Sequence, residues 1–223
     1  MSLRKLVLGI SDYYFYHNLT ILPSLSENAT VLDCCGNYLT SLVNDKGEML
    51  PDTLTKLDCS NNRLIRLVNE EKGERLPNIL TFLDCGNNIL TILPEQLPNT
   101  LTELHCGNNR LTKLPEQLPN SLEELYCEDN RLTTLPEHLP DNLIDLVCSN
   151  NFLTKLPNQL PNTLGDIEFF DNSFLFNLKN NLKWTYINSY NNYRIQCKIQ
   201  NRKYKRNNSN YFCRDISRMC STY

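Results

Sequence analysis

Apolar residues recur along most of this chain in one arrangement, L-x-x-L-x-C-x-x-N-x-L, in which leucines and a cysteine alternate with polar positions. The stretch LTELHCGNNRLTKLPEQLPN, residues 101–120, returns as SLEELYCEDNRLTTLPEHLPD from Ser121 and as NLIDLVCSNNFLTKLPNQLPN from Asn142. The asparagine of the arrangement occurs at Asn37, Asn62, Asn88, Asn109, Asn130, Asn151 and Asn172, spaced by 25, 26 and then 21 residues. This short, regular period predicts a repeat architecture in which each turn packs on the next.

The segment around L-x-C predicts a short strand in every repeat. Because side chains alternate along a strand, Leu104 and Cys106 should point into the core while Glu103 and His105 point outward. Seven such strands, stacked in parallel about 4.8 Å apart, predict a sheet on the order of 30 Å long. The repeat asparagine should be structural, since its amide can satisfy backbone groups of its own turn and the next.

The L-P-x-x-L-P segment predicts the opposite side of each turn. Proline favours extended geometry at the preceding residue and is disfavoured inside a helix, so we expect extended backbone with tight turns. The first two repeats carry extra residues around Gly47 and Gly73, which should bulge on this side.

These residues form the leucine-rich-repeat signature. The 21-residue period and the L-P-x-x-L-P segment resemble the repeats of type-III-secreted bacterial effectors and of giant-virus leucine-rich-repeat proteins; the repeat cysteine and the Asn- and Tyr-rich ends favour the viral kind. The resemblance implies an α/β-type leucine-rich-repeat solenoid, or horseshoe, with a parallel β-sheet on the concave face, extended and turn segments on the convex face and little regular helix. It also implies non-enzymatic protein recognition inside a host cell. Some such effectors carry a ubiquitin-ligase domain, for which the residues after 176 are too few.

The pattern divides the chain into four parts. Residues 1–28 are predicted to be an N-terminal capping segment, in which Asp12, Tyr14 and His17 stand in the slots of leucine, cysteine and asparagine. Residues 29–176 hold seven repeats, residues 177–197 a degenerate repeat or C-terminal cap, and residues 198–223 a basic tail that we expect to be flexible.

The charge distribution separates the body from the tail. Residues 1–176 hold 12 Lys and Arg against 24 Asp and Glu, whereas residues 177–223 hold 10 Lys and Arg and a single acid, Asp215. No apolar run is long enough for a signal-peptide core or a membrane span, so we expect an intracellular protein that does not use the classical secretory route and has no membrane partner.

The outward positions of the strands are the predicted binding surface for a protein partner with a basic surface. The candidate residues combine acids with aromatic rings: Phe82, Glu103, His105, Glu124, Tyr126, Asp145, Asp166 and Glu168. Acids beside His105 should favour its charged form and make it a weak pH sensor.

Two other readings stay open. The basic residues Lys198, Arg202, Lys203, Lys205 and Arg206, with nearby tyrosines, predict nucleic-acid association in which the solenoid is a spacer. Six of the ten cysteines fall in one inward column and should be reduced core residues, while Cys35 should face outward, as a spectator or a reactive thiol. Nothing in the pattern indicates a catalytic residue, a cofactor or a metal site.

Overall fold

The computed structural model describes residues 11–14 and 16–173. Eight three-residue strands form one parallel sheet in chain order: β1 (Ser11–Tyr13), β2 (Val31–Asp33), β3 (Lys56–Asp58), β4 (Phe82–Asp84), β5 (Glu103–His105), β6 (Glu124–Tyr126), β7 (Asp145–Val147) and β8 (Asp166–Glu168). Within these residues the helical content is one 3-10 turn, Glu70–Lys72. The predicted parallel sheet with little helix is therefore confirmed. No helix among them has the length and apolar character that crossing a membrane requires.

The register of the sheet keeps every repeat position in a straight column. Leu104 pairs with Leu83 on one side and with Leu125 on the other, and all three are fully buried. The repeat leucines and the six inward cysteines, Cys34, Cys59, Cys85, Cys106, Cys127 and Cys148, form one continuous core. All six cysteines are free, as predicted for a reduced column.

The sheet has eight strands rather than the seven predicted, because the degenerate first turn also forms a strand. Asp12 occupies a leucine slot and is buried, and its Oδ2 accepts the backbone N–H of Ser26 at 2.7 Å. Tyr14 fills the cysteine slot and belongs to the core. Hydrogen bonding thus lets a carboxylate replace a leucine where the stack begins.

The repeat asparagines form a ladder that links adjacent turns. The Asn109 Nδ2 donates to the carbonyls of Cys106 and Gly107 in its own turn and to that of Cys85 in the turn before, and its Oδ1 accepts the N–H of Leu90. The predicted structural role is confirmed, but the neighbour that each amide binds is the preceding turn, not the next. In each repeat the asparagine side chain extends towards the preceding turn and bonds to a carbonyl and an N–H group of that turn.

A second column, immediately before the ladder, has left-handed backbone. Its members have φ between 52° and 65° and are Gly36, Asn61, Asn87, Asn108, Asp129, Asn150 and Asp171. Glycine, asparagine and aspartate tolerate this conformation best, so the column explains the Asn-Asn doublet of the repeat.

The convex side consists of extended segments and tight turns, as predicted. In each of the 21-residue repeats a leucine N–H bonds to the proline carbonyl three residues earlier, for example Leu101 to Pro98 at 3.0 Å. The two insertions turn at Gly47 and Gly73, both with positive φ. The predicted cap at 177–197 and the tail at 198–223 lie outside the described residues.

Candidate functional site on the concave face

The outward side chains of the strands and of the residue two places after each strand's end form three columns, which together we call the concave face. The first column is Val31, Lys56, Phe82, Glu103, Glu124, Asp145 and Asp166. The second is Asp33, Asp58, Asp84, His105, Tyr126, Val147 and Glu168. The third is Cys35, Ser60, Gly86, Gly107, Glu128, Ser149 and Phe170.

His105 is the centre of a cluster on this face. Its ring stacks on that of Tyr126, with centroids 4.5 Å apart and an interplanar angle of 19°. Phe82 meets the same ring edge-on, at 5.4 Å and 73°. These contacts fix the plane of the imidazole and leave its nitrogens directed at neighbouring side chains. We refer to His105, Phe82, Asp84, Glu103, Glu124, Tyr126 and Glu128 as the His105 cluster.

Asp84 is the acid that approaches the imidazole in a defined pose. Its Oδ2 lies 3.9 Å from the Nδ1 of His105, while its Oδ1 accepts the backbone N–H of Gly86 at 2.9 Å. One oxygen is therefore anchored to the backbone and the other faces the ring. Asp84 is not among the binding residues predicted from the sequence, although the register places it directly beside His105.

The carboxylates around His105 change its titration. The close approach of Asp84 is the largest influence and raises the pKa of His105 above its ordinary value, against the opposing effect of partial burial. Glu103 and Glu124 act in the same direction as Asp84. The expected direction of the shift is thus present, with a principal partner that the sequence interpretation did not name.

Glu128 is the second contributor that sequence analysis left out. Its side chain lies over Gly107, where a Cβ would be 2.5 Å from the Oε1 of Glu128. The carboxylate is half-buried, and this burial raises its pKa. Its Oε2 is buried and has no hydrogen-bond partner among the described residues. Because Gly107 has no side chain, Glu128 can occupy this space as the fourth carboxylate of the His105 cluster.

Tyr126 and Asp145 extend the cluster onto β7. The Tyr126 hydroxyl donates a hydrogen bond of 3.0 Å to the Oδ2 of Asp145. Burial is the main cause of the raised pKa of both groups. The phenol is therefore held in place by an acid on the neighbouring strand. The structure brings together Phe82, Glu103, His105, Glu124, Tyr126 and Asp145 from the predicted set.

The remaining predicted residues lie further along the sheet. Asp166 and Glu168 are on β8, the last described strand, on the same face but two strands from Tyr126. Asp166 is exposed and Glu168 is half-buried. They extend the negative face and do not contact the His105 cluster.

Three aspartates line the other end of the face. Asp33, Asp58 and Asp84 occupy one column, and burial together with its two neighbours raises the pKa of Asp58. Cys35 faces this column, as predicted. Burial and a hydrogen bond to Asp33 raise the pKa of its thiol to about 12, so at neutral pH it is protonated and a poor nucleophile. The spectator reading of Cys35 is therefore the one that the structure favours.

The fold and its columns define the class of protein. Residues 99–140 match the family model described as leucine rich repeats, in two copies. The parallel sheet that runs in register through that region, one strand per turn, is the leucine-rich-repeat solenoid. The chain is therefore a leucine-rich-repeat protein, a class that generally serves as non-enzymatic scaffolds for protein interaction. No curated protein matches it.

Solved structures of bacterial leucine-rich-repeat proteins are similar to this chain. YopM, a leucine-rich effector of Yersinia pestis, is 34% identical over 73% of this chain and 43% of its own, with a TM-score of 0.65. A Shigella effector leucine-rich-repeat domain is 28% identical over 74% of this chain and 59% of its own, with a TM-score of 0.51. The functional domain of InlJ from Listeria monocytogenes, which includes a cysteine ladder, is 25% identical over 70% and 40%, with a TM-score of 0.50.

The chain thus spans less than two thirds of the length of each of these proteins. The resemblance to bacterial effectors is confirmed for the repeats, and a viral origin stays an expectation. The cysteine ladder of InlJ parallels the buried cysteine column found here.

Proposed function

We propose that this chain is a non-enzymatic scaffold that binds a protein partner with a basic surface through its concave face. The observation that carries the proposal is the His105 cluster, in which carboxylates from three adjacent strands surround half-buried aromatic rings. Solenoids present such extended faces to their partners, because the sheet is rigid and its side chains stand in fixed columns. The effector neighbours support interaction with a host protein.

The composition of the face favours a cationic partner. Besides His105, the three columns contain a single basic residue, Lys56, on β3. The acids of the cluster are half-buried. Burial, with a smaller contribution from neighbouring acids, raises the pKa of Glu128 in the cluster and of Asp145 beside it. Lys or Arg side chains of a partner would relieve this repulsion, so binding should release unfavourable electrostatic energy stored in the free protein.

The rings of Phe82 and Tyr126 give the face an anchor. Aromatic residues surrounded by complementary charge are the usual composition of an interface hot spot. The Tyr126 hydroxyl is already held by Asp145, so little ordering is required of it on binding. Replacing Tyr126 by Ala should weaken binding by about 2 kcal/mol.

The test uses the full chain and defined probes: a labelled peptide rich in Lys and Arg, and its counterpart with Glu at those positions. The wild type should bind the basic peptide alone, and more weakly at high salt, since screening shortens the range of surface charges. Glu103→Lys with Glu124→Lys should abolish this binding. Both side chains point outward, so the variant should fold.

The matched control is Glu95→Lys with Glu116→Lys. It makes the same change of net charge at the same 21-residue spacing, but on exposed positions of the convex side. If the proposal is right, the control binds the basic peptide nearly as the wild type does. Equal loss in both variants would mean that net charge alone attracts the peptide, and undiminished binding by the Glu103/Glu124 variant would exclude the concave face.

The alternative of nucleic-acid association rests on Lys198, Arg202, Lys203, Lys205 and Arg206, which lie outside the described residues. It stays a prediction. Retention on DNA or heparin of the full chain, compared with a chain ending at residue 176, tests it directly, because the truncated body carries a net negative charge and should not be retained.

A further inference from the structure

Three side chains with metal-binding atoms converge at the centre of the concave face. A ring nitrogen of His105, one carboxylate oxygen of Glu103 and one of Glu124 lie within 4.8 Å of one another. Ligand atoms of a tetrahedral zinc ion are about 3.4 Å apart, given bonds of about 2.0–2.2 Å. Small side-chain rotations would therefore bring all three groups to one ion, since none of them is held by a hydrogen bond to the backbone among the described residues.

The imidazole shows a polar atom that lacks a partner. The Nε2 of His105 is buried and makes no hydrogen bond within the described part of the chain. Buried polar atoms are nearly always paired, so an exception calls for an explanation, an ion absent from the structure being one of the standard ones. The Nδ1 lies 3.9 Å from the Oδ2 of Asp84, an arrangement that favours the neutral tautomer with its proton on Nδ1 and its lone pair on Nε2.

Asp84 lies on the side of the ring where metal-binding histidines commonly have an outer carboxylate, at an ion-pair distance of 3.9 Å and not within hydrogen-bond distance. Such a histidine usually donates its other ring N–H to a carboxylate, which fixes the tautomer and orients the ring. Here Asp84 is itself held by the N–H of Gly86, and stacking on Tyr126 fixes the ring plane. The ligand is thus oriented from two sides before any ion binds.

We propose that His105, Glu103 and Glu124 bind a divalent first-row transition-metal ion such as zinc, with Asp84 as the positioning residue. A donor set of one imidazole and two carboxylates selects such ions over calcium and magnesium, which prefer oxygen ligands alone. Three protein ligands leave a fourth position open towards the concave space, where water or a partner side chain can coordinate. The site shares Glu103 and Glu124 with the proposed binding face. Zinc binding is measured without any peptide, so its failure can be told apart from failure of the proposed function.

A second cluster, formed by Asp33, Cys35 and Asp58, has ligand atoms equally close together. Its thiol is protonated and donates to Asp33, and the Oδ1 of Asp58 accepts two hydrogen bonds from Ser60. These groups already have hydrogen-bond partners, so they are less suited than the His105 cluster to bind an ion.

The experiment measures zinc binding by equilibrium dialysis on the full chain, its cysteines kept reduced. Because cysteines elsewhere can also bind zinc, the informative quantity is the difference between the wild type and His105→Gln. We expect this variant to lose one zinc equivalent. The matched control is His138→Gln, an exposed histidine on the convex side, which should keep the wild-type stoichiometry.

Two further variants separate ligands from the positioning residue. Glu103→Gln with Glu124→Gln should remove the same equivalent as His105→Gln. Asp84→Asn should still bind this zinc equivalent, but with a dissociation constant raised on the order of 10- to 100-fold, the effect typical of a lost outer carboxylate. Equal weakening by Asp84→Asn and by the exposed change Glu116→Gln would show that the surface charge alone is responsible.

Calcium provides the test for non-specific attraction to acids. If wild type and His105→Gln bind zinc with the same stoichiometry and affinity, or if calcium competes for the zinc equivalent as well as zinc itself, the proposal is wrong. Should His105→Gln fail to fold, the ring-nitrogen resonances of the wild type decide. Zinc must then shift the Nε2 of His105 and leave that of His138 unchanged, and any other result overturns the assignment.

Discussion

The asparagine ladder allows a stability prediction whose size can be worked out from individual hydrogen bonds. The perturbation is Asn109→Ala, in the middle of the run of 21-residue repeats. The amide of Asn109 donates to three backbone carbonyls and accepts the N–H of Leu90 at 2.9 Å. Alanine fits the space but removes all four hydrogen bonds at once.

The four groups are not equally affected, because neighbours share some of them. The carbonyl of Cys85 also accepts from Asn88, and that of Cys106 also accepts from Asn130. The carbonyl of Gly107 also accepts the N–H of Asn87. Each of these three carbonyls loses one of two donors, at about 0.5–1.5 kcal/mol. The N–H of Leu90 loses the acceptor that the described residues provide, and an orphaned buried donor costs about 1–3 kcal/mol. We therefore expect Asn109→Ala to lower the free energy of unfolding by about 3–7 kcal/mol.

Denaturation by urea, followed by circular dichroism, measures the effect as a shift in midpoint at constant slope. The control is Asn108→Gly, which changes the adjacent asparagine. Asn108 is exposed and has φ 52°, a conformation that glycine adopts freely, so this variant should stay within about 0.5 kcal/mol of the wild type. A third variant, Asn109→Asp, keeps the acceptor for Leu90 but turns a carboxylate towards carbonyl oxygens. It should destabilise the protein more at pH 7 than at pH 4.

Equal stability of Asn109→Ala and Asn108→Gly would contradict a contribution of the ladder hydrogen bonds to folding. Insensitivity of Asn109→Asp to pH would contradict it as well, because the three donated bonds would then contribute nothing. A change of slope with an unchanged midpoint would indicate separate unfolding of the two halves of the stack, which quasi-one-dimensional repeat proteins permit.

Three further outcomes follow from the structure. Asn150→Val should lower the free energy of unfolding by about 1–2 kcal/mol whereas Asn150→Gly should not, since φ is 53° there and a β-branched side chain opposes left-handed backbone. Urea titration of both variants tests this. Asp58→Asn should raise thermal stability at pH 7, because burial, with Asp84 and Asp33 nearby, raises the pKa of Asp58 in the fold, so its ionised form opposes folding. The gain should vanish as pH falls below the pKa of Asp58 in the unfolded chain, and a gain that persists there would contradict the electrostatic cause. The thiol prediction uses a variant in which the three cysteines after residue 196 are replaced by serine. A thiol reagent should modify Cys35 slowly at neutral pH, with a rate that rises about tenfold per pH unit, and should modify the six column cysteines only after unfolding. A disulfide within the column would contradict the buried, reduced arrangement.

The sheet and its columns could be predicted because they depend on periodicity alone. The alternation around L-x-C assigns each side chain to one face, and a constant repeat length forces equivalent residues into one column. The same reasoning underestimated the sheet by one strand. Asp12 and Tyr14 break the apolar pattern, and the hydrogen bond from Ser26 that makes a buried aspartate acceptable is a long-range contact.

The candidate site was only partly predictable, and the two omissions have different causes. Asp84 was available from the register, since a residue in a parallel sheet has a neighbour on each side and His105 therefore pairs with Asp84 as well as with Tyr126. Periodicity places Glu128 in the column that follows the strands, but it does not show that the carboxylate approaches His105. Its place near His105 depends on a side-chain rotation over Gly107.

The Asn-Asn doublet shows why one residue type can have two causes in adjacent positions. The second asparagine of each pair is buried and selected for its amide, whereas the first is exposed and selected for its backbone. The sequence contains the means to separate them, because only the first column also includes Asp129, Asp171 and a glycine, the residues that share tolerance of positive φ. The glycine of that column, Gly36, has a further reason. A Cβ there would lie 2.5 Å from the ring of Tyr16, so any other residue at this position would also require the Tyr16 side chain to move.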